Sequence, residues 1–405
     1  MNIFATLALL LAAGLLADRL AASLHIPDIP VLVLLGFLLG PLLHLVHLRS
    51  GSGWSGFMLS FGAAFILFEG GRGLPLPVLR RIGWGVGLLA SVGVLATAAL
   101  LASAAHWLLA LPWLQAGLVG AVLSATDPAT IIPLFREVRI RPRLAHLVEA
   151  EAGFNDAVAA TLTAVLVAAA GGAHITLPRS AADIGTVVAG GTAVGLAVGL
   201  AIALLLPNRR GRGLLSTREQ GAVLSLVGVL AAFALATWLH GSPYMAVFVA
   251  GLVVGNREIL GLGMHRRHRL FHDAYLGNVA GTVRVLVFLV LGAAVSLRTV
   301  GGFFGPALLL ALLLIFVARP LSVLACLPAD RRARWTWGEI RFTAWVRETG
   351  VVPAALAGLL LQEGVPGAAA VAAAVFVAVL ATILLQVPTT AAWARLNGVA
   401  DDNPS

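Results

Sequence analysis

Residues 82–126 read IGWGVGLLASVGVLATAALLASAAHWLLALPWLQAGLVGAVLSAT, a run of 45 residues without Asp, Glu, Lys or Arg. A helix needs about 20 apolar residues to cross the hydrocarbon core of a bilayer. The run is therefore long enough for two spanning helices, with Leu111 and Pro112 at the turn between them. A membrane β-barrel would instead alternate polar and apolar residues in short segments, and the sequence shows no such segments. The run predicts an α-helical membrane protein.

The whole chain has the composition of a membrane protein. Of its 405 residues, 60% are hydrophobic and 11% are charged, whereas soluble domains carry about 25% charged residues. Residues 1–17 lack the basic start and small-residue cleavage site of a signal peptide, so we interpret them as a first span. A single cysteine, Cys326, excludes an intramolecular disulfide framework or a site of several thiolates. All 27 basic residues are Arg and they form no patch, so we expect no nucleic-acid partner.

Apolar runs and arginine positions together predict a topology within membrane lipid. Thirteen spans are predicted, near residues 1–17, 29–48, 54–70, 82–109, 113–135, 144–170, 183–206, 219–239, 243–256, 270–297, 299–318, 338–362 and 364–394. Loops on one side, with the C-terminus, hold 22 of the 27 arginines, and loops on the other side hold three. Because cytoplasmic loops are enriched in Arg and Lys, we predict a multi-pass protein of the bacterial inner membrane, with its N-terminus outside and its C-terminus cytoplasmic.

The predicted spans form one transmembrane unit over residues 1–405, with no soluble domain. Spans 1–6 (about residues 1–170) and spans 8–13 (about 219–394) make two six-helix halves, linked by span 7 (about 183–206). One intervening span requires the halves to be inverted repeats. The discontinuous spans 5 and 12, described next, would then cross near the membrane midplane. We expect spans 5, 6, 12 and 13 to form the ion-binding core.

Span 5 contains SATDPAT, residues 124–130. Pro128 removes a helix hydrogen bond and clashes with the preceding turn, while Thr126 and Asp127 are good caps for a half-helix that begins at the proline. We therefore predict an unwound stretch in mid-membrane whose oxygen atoms face a cavity. The alternative, a simple capped kink, does not need an acid at that depth, where an ionised group costs about 2.5–3.5 kcal/mol.

Span 6 continues with EAGFND, residues 151–156. Glu151 and Asn155 are four residues apart and share a helix face, and Asp156 lies beside them. Two carboxylates and an amide opposite a discontinuous helix form an all-oxygen cluster, which suits a hard monovalent cation rather than a transition metal. We predict that these three residues form a cation site together with Thr126 and Asp127.

Span 12 reads WVRETGVVP over residues 345–353. Gly350 and Pro353 interrupt it, and interrupted spans in corresponding positions of two halves indicate a transporter's binding site. Among the other charges within predicted spans, we single out Glu69, Arg284, Arg347 and Glu348. We interpret them as structural ion pairs that hold helices in register, although Glu69 could instead be solvated at the cytoplasmic end.

These residues resemble the sodium(potassium)/proton exchangers of the first monovalent cation:proton antiporter family. The motif TDP at residues 126–128, followed by Glu151 and the pair Asn155-Asp156, carries the resemblance, and the thirteen-span topology extends it over the chain. The resemblance implies electroneutral exchange of Na⁺ or K⁺ for H⁺, a role in pH homeostasis, and a homodimer with a dimerisation domain and a moving core. It also implies that Asp156 carries the cation or the proton, assisted by Glu151, Asp127 and Thr126. No cofactor is expected besides the transported ions.

Three positions depart from the family's usual pattern. Ala152 stands where a serine often follows the glutamate, and Thr349 stands where Arg usually precedes the glycine of span 12. Arg284 stands on span 10 where related exchangers often have an acid, so a charge swap with Glu348 could preserve a pair of reversed polarity. These departures concern cation selectivity and ion pairing, not the class of transporter.

Three other classes of protein are the alternatives. An anion or organic-acid transporter of the same inverted-repeat architecture would present cationic groups or helix N-termini rather than clustered carboxylates. A passive channel does not need a proton-titratable ligand inside the membrane. An intramembrane enzyme is not expected, because the sequence has no His-Glu-x-x-His motif and no Ser/His arrangement. The choice between Na⁺, K⁺ and Li⁺ depends on ligand distances that a sequence does not contain.

Overall fold

The structure, a computed structural model, describes residues 3–24, 26–46, 53–127, 135, 138–170, 177–207 and 217–400. In these ranges the regular elements are helices, and one isolated antiparallel bridge joins Ile140 to Ala400. The described helices, in chain order, are α1 (Ile3–Leu24), α2 (Asp28–Leu42), α3 (Gly53–Gly73), α4 (Leu76–Leu88 and Val94–Leu108), α5 (Trp113–Ser124), α6 (Pro142–Ala170), α7 (Leu177–Leu205), α8 (Arg218–Trp238), α9 (Pro243–Gly255), α10 (Arg266–Ala294), α11 (Leu297–Leu313 and Arg319–Cys326), α12 (Trp337–Trp345), α13 (Val351–Gln362) and α14 (Ala368–Leu396).

Eight helices of the described chain are long and apolar enough to cross a membrane. They cover Ile3–Leu24, Ile82–Leu108, Pro142–Ala170, Gly185–Leu205, Glu219–Trp238, Arg266–Ala294, Gly301–Cys326 and Ala368–Leu396. Four shorter apolar helices accompany them, among them α5 and α13 with 12 residues each. At 1.5 Å per residue, a helix of that length covers about 18 Å, a little over half of the hydrocarbon core. Neither of these two helices is long enough to cross the hydrocarbon core by itself.

Among the described helices, three contain a π-turn, a local insertion of one residue into the α-helical ladder. These turns are Leu38–Leu42 in α2, Leu89–Gly93 in α4 and Leu314–Ala318 in α11. The last one joins the two parts of α11, so that the helix continues to Cys326 instead of ending near residue 318 as the predicted span 11 does. Arg319, which directly follows the predicted span 11 (residues 299–318) and so counts among the arginines predicted in cytoplasmic loops, is therefore inside a helix, and it is buried.

One compact unit comprises residues 1–60, 81–171 and 285–405. Small residues let its helices approach closely, as is usual in membranes. Gly120 of α5 lies against the backbone of Ala98 in α4, and Gly36 of α2 lies against the backbone of Leu289 in α10. α14 packs against α11, α13 and α5. The helices that carry the predicted site all belong to this unit.

A second compact unit comprises residues 61–80 and 172–284. The glycine face of α7, at positions 191, 195 and 199, packs against Ser242, Ala246 and Ala250 at and within α9. A Cβ atom at any of these glycines would collide with the neighbouring chain. The small residues of α7 therefore serve packing inside this unit.

Candidate functional site

Two helices stop in the middle of the first unit, and the extended stretches that follow them lie against each other. α5 ends at Ser124, after which Ala125 is extended (φ −65°, ψ 149°). α12 ends at Trp345, residues 346–350 are not helical, and α13 begins at Val351. The backbone N–H of Asp127 donates to the carbonyl oxygen of Glu348 over 3.1 Å, which joins the two stretches. The described parts of spans 5 and 12 thus meet where their helices are broken.

The side chain of Asp127 caps α13. Its Oδ2 accepts a hydrogen bond of 3.0 Å from the backbone N–H of Val351, the first residue of that helix. A helix N-terminus has free N–H groups and a positive dipole end, so it stabilises an anion there. Gly350 makes this approach possible, because a Cβ atom at that position would overlap the Asp127 carboxylate.

Arg347 makes the converse contact with α5. Its Nη2 donates to the carbonyl oxygens of Leu123 and Ala125, the latter at 3.0 Å, at the C-terminal end of α5. A cation is stabilised at this negative end of a helix. Asp127, which follows α5, therefore stabilises the N-terminal end of α13. Arg347, which precedes α13, stabilises the C-terminal end of α5.

α6 presents the polar residues Glu151, Asn155 and Asp156 to this crossing, and all three are buried. The Nδ2 of Asn155 donates to Oγ1 of Thr126 at 3.3 Å and to Oε1 of Glu151 at 3.2 Å. Both amide hydrogens of Asn155 are therefore in use. These bonds fix the side chain and leave its Oδ1 free to accept.

Asp156 brings a second buried carboxylate of α6 to this crossing. It is 7% exposed, and the described residues supply no hydrogen-bond partner for its Oδ1 or for Oδ1 of Asn155. The backbone of Thr126 interacts with the carboxylate, Asp127 repels it electrostatically and Arg347 attracts it. A buried carboxylate oxygen without a donor is costly, so the arrangement favours a proton or a cation at this point.

Glu151, in contrast, is neutralised by an arginine that sequence reasoning missed. Both Nη atoms of Arg319 bond to the Glu151 carboxylate, with 2.9 Å between Nη2 and Oε2. The same guanidinium donates to the carbonyl oxygens of Thr343 and Val346, at 3.1 and 3.2 Å, where α12 ends. Arg319 therefore links α6, α11 and the end of α12, and it is 3% exposed.

A small cavity lies beside these groups and is bordered by Asp127, Glu151, Arg319 and Glu348. Its volume is about 10 Å³, which is about the space that one water molecule needs. Ala152 also borders this cavity. At this position, where the resemblance leads us to expect a serine, Ala152 has a methyl side chain and offers no hydroxyl oxygen.

Side chains of α14 form hydrogen bonds with the end of α12 and with the non-helical stretch between α12 and α13. Oγ1 of Thr382 accepts a 3.1 Å hydrogen bond from the backbone N–H of Thr349. One turn further along α14, Nε2 of Gln386 donates to the carbonyl oxygen of Trp345. Backbone groups left without helical partners are therefore bonded by α14, as a break inside a membrane requires.

Glu69, Arg284 and Glu348 are three of the residues predicted to form structural ion pairs. Glu69 is bonded to Arg72 through two oxygens, with 2.8 Å between Nε and Oε2, and Arg72 also contacts Asp273. Arg284 is half-buried on α10, and Glu348 is buried in the non-helical stretch before α13. The pairing of these two residues stays a prediction.

Two helix-breaking prolines complete the predicted set. Pro353 lies in the first turn of α13, where a missing N–H costs no hydrogen bond. Pro128 lies outside the described residues. The described chain contains no group of three His, Cys, Asp or Glu side chains able to share a metal ion. A cation held jointly by Asp156, Asp127 and Glu151 therefore also stays a prediction.

Comparison with known proteins identifies the family. The profile described as "Sodium/hydrogen exchanger, transmembrane" matches residues 5–396. The chain belongs to the sodium/hydrogen exchanger family. It is a multi-pass membrane protein of a family of transporters, and the family gives the anion-transporter alternative no support.

Named relatives of this exchanger agree with that assignment. The Na(+)/H(+) antiporter 1 of Methanocaldococcus jannaschii is 30% identical over 406 residues, which cover 96% of this chain and 93% of the relative. The K(+)/H(+) antiporter NhaP2 of Shewanella sp. (strain MR-4) is 30% identical, with coverage of 96% of this chain and 66% of the relative. The solved structure of the sodium proton antiporter MjNhaP1 from M. jannaschii at pH 8 has a TM-score of 0.83 at 29% identity, and covers 97% of this chain and 100% of its own.

Proposed function

We propose that this exchanger moves a monovalent cation, Na⁺ or K⁺, against protons across a bacterial inner membrane, in an electroneutral cycle centred on Asp156. The observation that carries the proposal is the buried Asp156 carboxylate, whose Oδ1 lacks a donor among the described residues. Three charges near it are engaged: Glu151 by Arg319, Asp127 by the α13 N-terminus and Arg347 by the end of α5. The negative charge of Asp156 is left for a transported ion.

The neighbouring oxygen atoms are suited to a hard cation. Asn155 offers a free Oδ1, Thr126 offers a hydroxyl oxygen, and Asp127 lies close enough to act on Asp156 electrostatically. Monovalent cations of this kind prefer oxygen ligands. In this proposal Glu151 positions Asn155 and does not itself bind the cation, because its carboxylate is bonded to Arg319.

Competition at one carboxylate couples the two gradients. A proton and a cation neutralise the same charge, so one of them occupies the site at a time. An empty site leaves an uncompensated charge in the membrane, which is costly to move through an apolar barrier. The carrier therefore changes conformation when it is loaded with either ion, and net charge does not cross in a full cycle if one proton replaces one monovalent cation.

The architecture proposed for this cycle has thirteen spans in two inverted halves, with discontinuous helices 5 and 12. Support comes from the eight candidate spans, the four shorter apolar helices and α3, and from the contact between the two interrupted stretches. We also propose that the N-terminus lies outside, as the arginine distribution predicts, and that the exchanger is a homodimer, as its family resemblance implies. Crosslinking in native membranes tests the dimer, and accessibility of cysteines introduced at either terminus tests the orientation.

The function is tested in everted membrane vesicles that carry a pH gradient. Addition of Na⁺, K⁺ or Li⁺ should dissipate the gradient with the wild type and have no effect with Asp156→Asn. Asp18→Asn, the same substitution at an exposed position of α1, should behave as the wild type. Wild-type exchange by Asp156→Asn would overturn the central role of Asp156, and a gradient dissipated by organic anions alone would overturn cation exchange.

A further inference from the structure

A second polar cavity lies in the second unit, outside the crossing that holds Asp156. It has a volume of about 440 Å³, within the range of ligand pockets, and is open to solvent on one side. Its lining comes from the end of α3, the end of α9 and the turn that follows, and the first turns of α10. The arginine distribution predicts that these ends face the cytoplasm.

Most charges around this cavity are already paired. Arg72 is bonded to Glu69 and Asp273. Arg269 donates to Glu258 over 3.1 Å. These contacts use both lining acids and two of the three lining arginines.

Arg257 is the exception. Its side chain is 5% exposed and lines the cavity, and its Nη1 has no hydrogen-bond partner among the described residues. Burial lowers the pKa of Arg257 to about 10, so the guanidinium still carries its charge at neutral pH. A buried guanidinium nitrogen without a hydrogen-bond acceptor is unfavourable. An anion in the cavity would remove that cost.

We propose that this cavity binds a phosphate-bearing anion through Arg257, in the form of a phospholipid head group or of phosphate in solution. Guanidinium groups match the geometry of phosphate oxygens and bind them with two parallel hydrogen bonds. Basic pockets between membrane helices on the cytoplasmic side are suited to anionic lipid head groups.

Neighbouring apolar side chains favour the lipid. Leu270 lines the cavity and is exposed, and Ile259 and Leu260, in the turn after Arg257, are more than half exposed. Such side chains beside a cationic cavity would contact acyl chains while the head group meets the guanidinium. His272 also lines the cavity, where its Nε2 is hydrogen-bonded to Ser225 at 2.8 Å and its Nδ1 lies 3.8 Å from Oδ1 of Asp273.

The test compares purified wild type, Arg257→Gln and Arg267→Gln, where the last removes an exposed arginine from the same region. Thermal unfolding is measured after delipidation with phosphatidylglycerol, with phosphatidylcholine, and with Tris phosphate against Tris chloride at equal ionic strength. Sodium and potassium are omitted because they are the proposed substrates. Loss of charge-assisted hydrogen bonds should weaken binding of the stabilising anion by about tenfold or more in Arg257→Gln, and Arg267→Gln should bind as the wild type does.

Each outcome decides between the sources or against the site. Stabilisation by phosphatidylglycerol that depends on Arg257 supports a lipid, and the same dependence with Tris phosphate alone supports a soluble phosphate. Equal shifts in all three proteins would overturn the proposal. If Arg257→Gln does not fold, Arg257→Lys replaces it. Native mass spectrometry of the wild type then measures whether phosphatidylglycerol is retained and whether phosphate displaces it. No retention rejects the lipid, and if phosphate also has no effect on unfolding, the site is rejected. Ion exchange is not a readout, so failure here leaves the proposed transport function intact.

Discussion

The carboxylate of Asp127 accepts a hydrogen bond from the backbone N–H of Val351, with 3.0 Å between Oδ2 and N. The two residues are 224 positions apart in the chain, and each belongs to a different broken helix. Arg347 returns the contact by donating to the end of α5. One acid and one base therefore hold the two half-helices together, while each satisfies backbone groups that lipid cannot.

Substitution of Asp127 should separate its capping role from its charge. Asp127→Asn keeps an oxygen that can accept from Val351, whereas Asp127→Ala does not. We expect Asp127→Ala to lower the free energy of unfolding by about 0.5–2 kcal/mol, and Asp127→Asn to unfold near the wild type. Thermal unfolding in detergent measures both.

Exchange assays complete that comparison. If the Asp127 charge helps to hold the cation beside Asp156, Asp127→Asn should raise the apparent KM for Na⁺ or K⁺ while its stability is unchanged. An Asn variant with the wild-type KM would restrict Asp127 to helix capping.

Gly350→Ala should disrupt the same contact by steric overlap. A Cβ atom at this position would occupy the space of the Asp127 carboxylate, so the stretches must separate or Asp127 must leave the helix end. We expect reduced stability and loss of exchange. Gly277→Ala is the control, since Gly277 lies within α10 with no atom near its missing Cβ, and alanine is the better helix former by about 1 kcal/mol. Exchange by Gly350→Ala at the wild-type rate would contradict the close approach seen in the structure.

The Glu151–Arg319 pair should behave as a buried ion pair. Removal of one partner leaves a buried charge uncompensated, which typically costs about 3–5 kcal/mol. We expect Glu151→Gln and Arg319→Gln each to be strongly destabilised. The double variant should lose less than the sum of the two single losses, because neither charge is then left alone. Recovery should remain partial, since Arg319 also bonds to the carbonyl oxygens of Thr343 and Val346. Additive losses in a double-mutant cycle would show that the two side chains act separately.

The helical class and the two interruptions could be predicted from local chemistry. Charge-free runs longer than a bilayer span indicate membrane helices. The irregular stretches at Thr126–Asp127 and before Gly350 are those in which proline, glycine and capping residues cluster. Asn155 could be placed beside Glu151 by helical spacing alone. These features depend on residues near one another in the chain.

Arg319 was predicted to follow span 11, whereas it lies inside α11, because the local sequence does not show that the helix continues past residue 318. An arginine followed by Pro320 after an apolar run has the pattern of a span's end. The π-turn before it changes the hydrogen-bond ladder, and a proline directly after such a turn removes a donor where the ladder is already interrupted. The missed pairing of Glu69 with Arg72 is different, since three-residue spacing on a helix was a usable signal.

The exchange rate should depend on pH in the manner of two ions that compete for one carboxylate. A cation binds the deprotonated site, so its binding releases a proton. Below the pKa of the site, the apparent KM for the cation should therefore rise about tenfold for each unit that the pH falls, while the maximal rate at saturating cation changes little. Above that pKa, the apparent KM should become constant, and the rate should fall because too few sites take up the returning proton. Measurement of KM in proteoliposomes over several pH values checks this. An apparent KM that is independent of pH across the whole range would mean that proton and cation bind at different groups, and would remove the coupling assigned to Asp156.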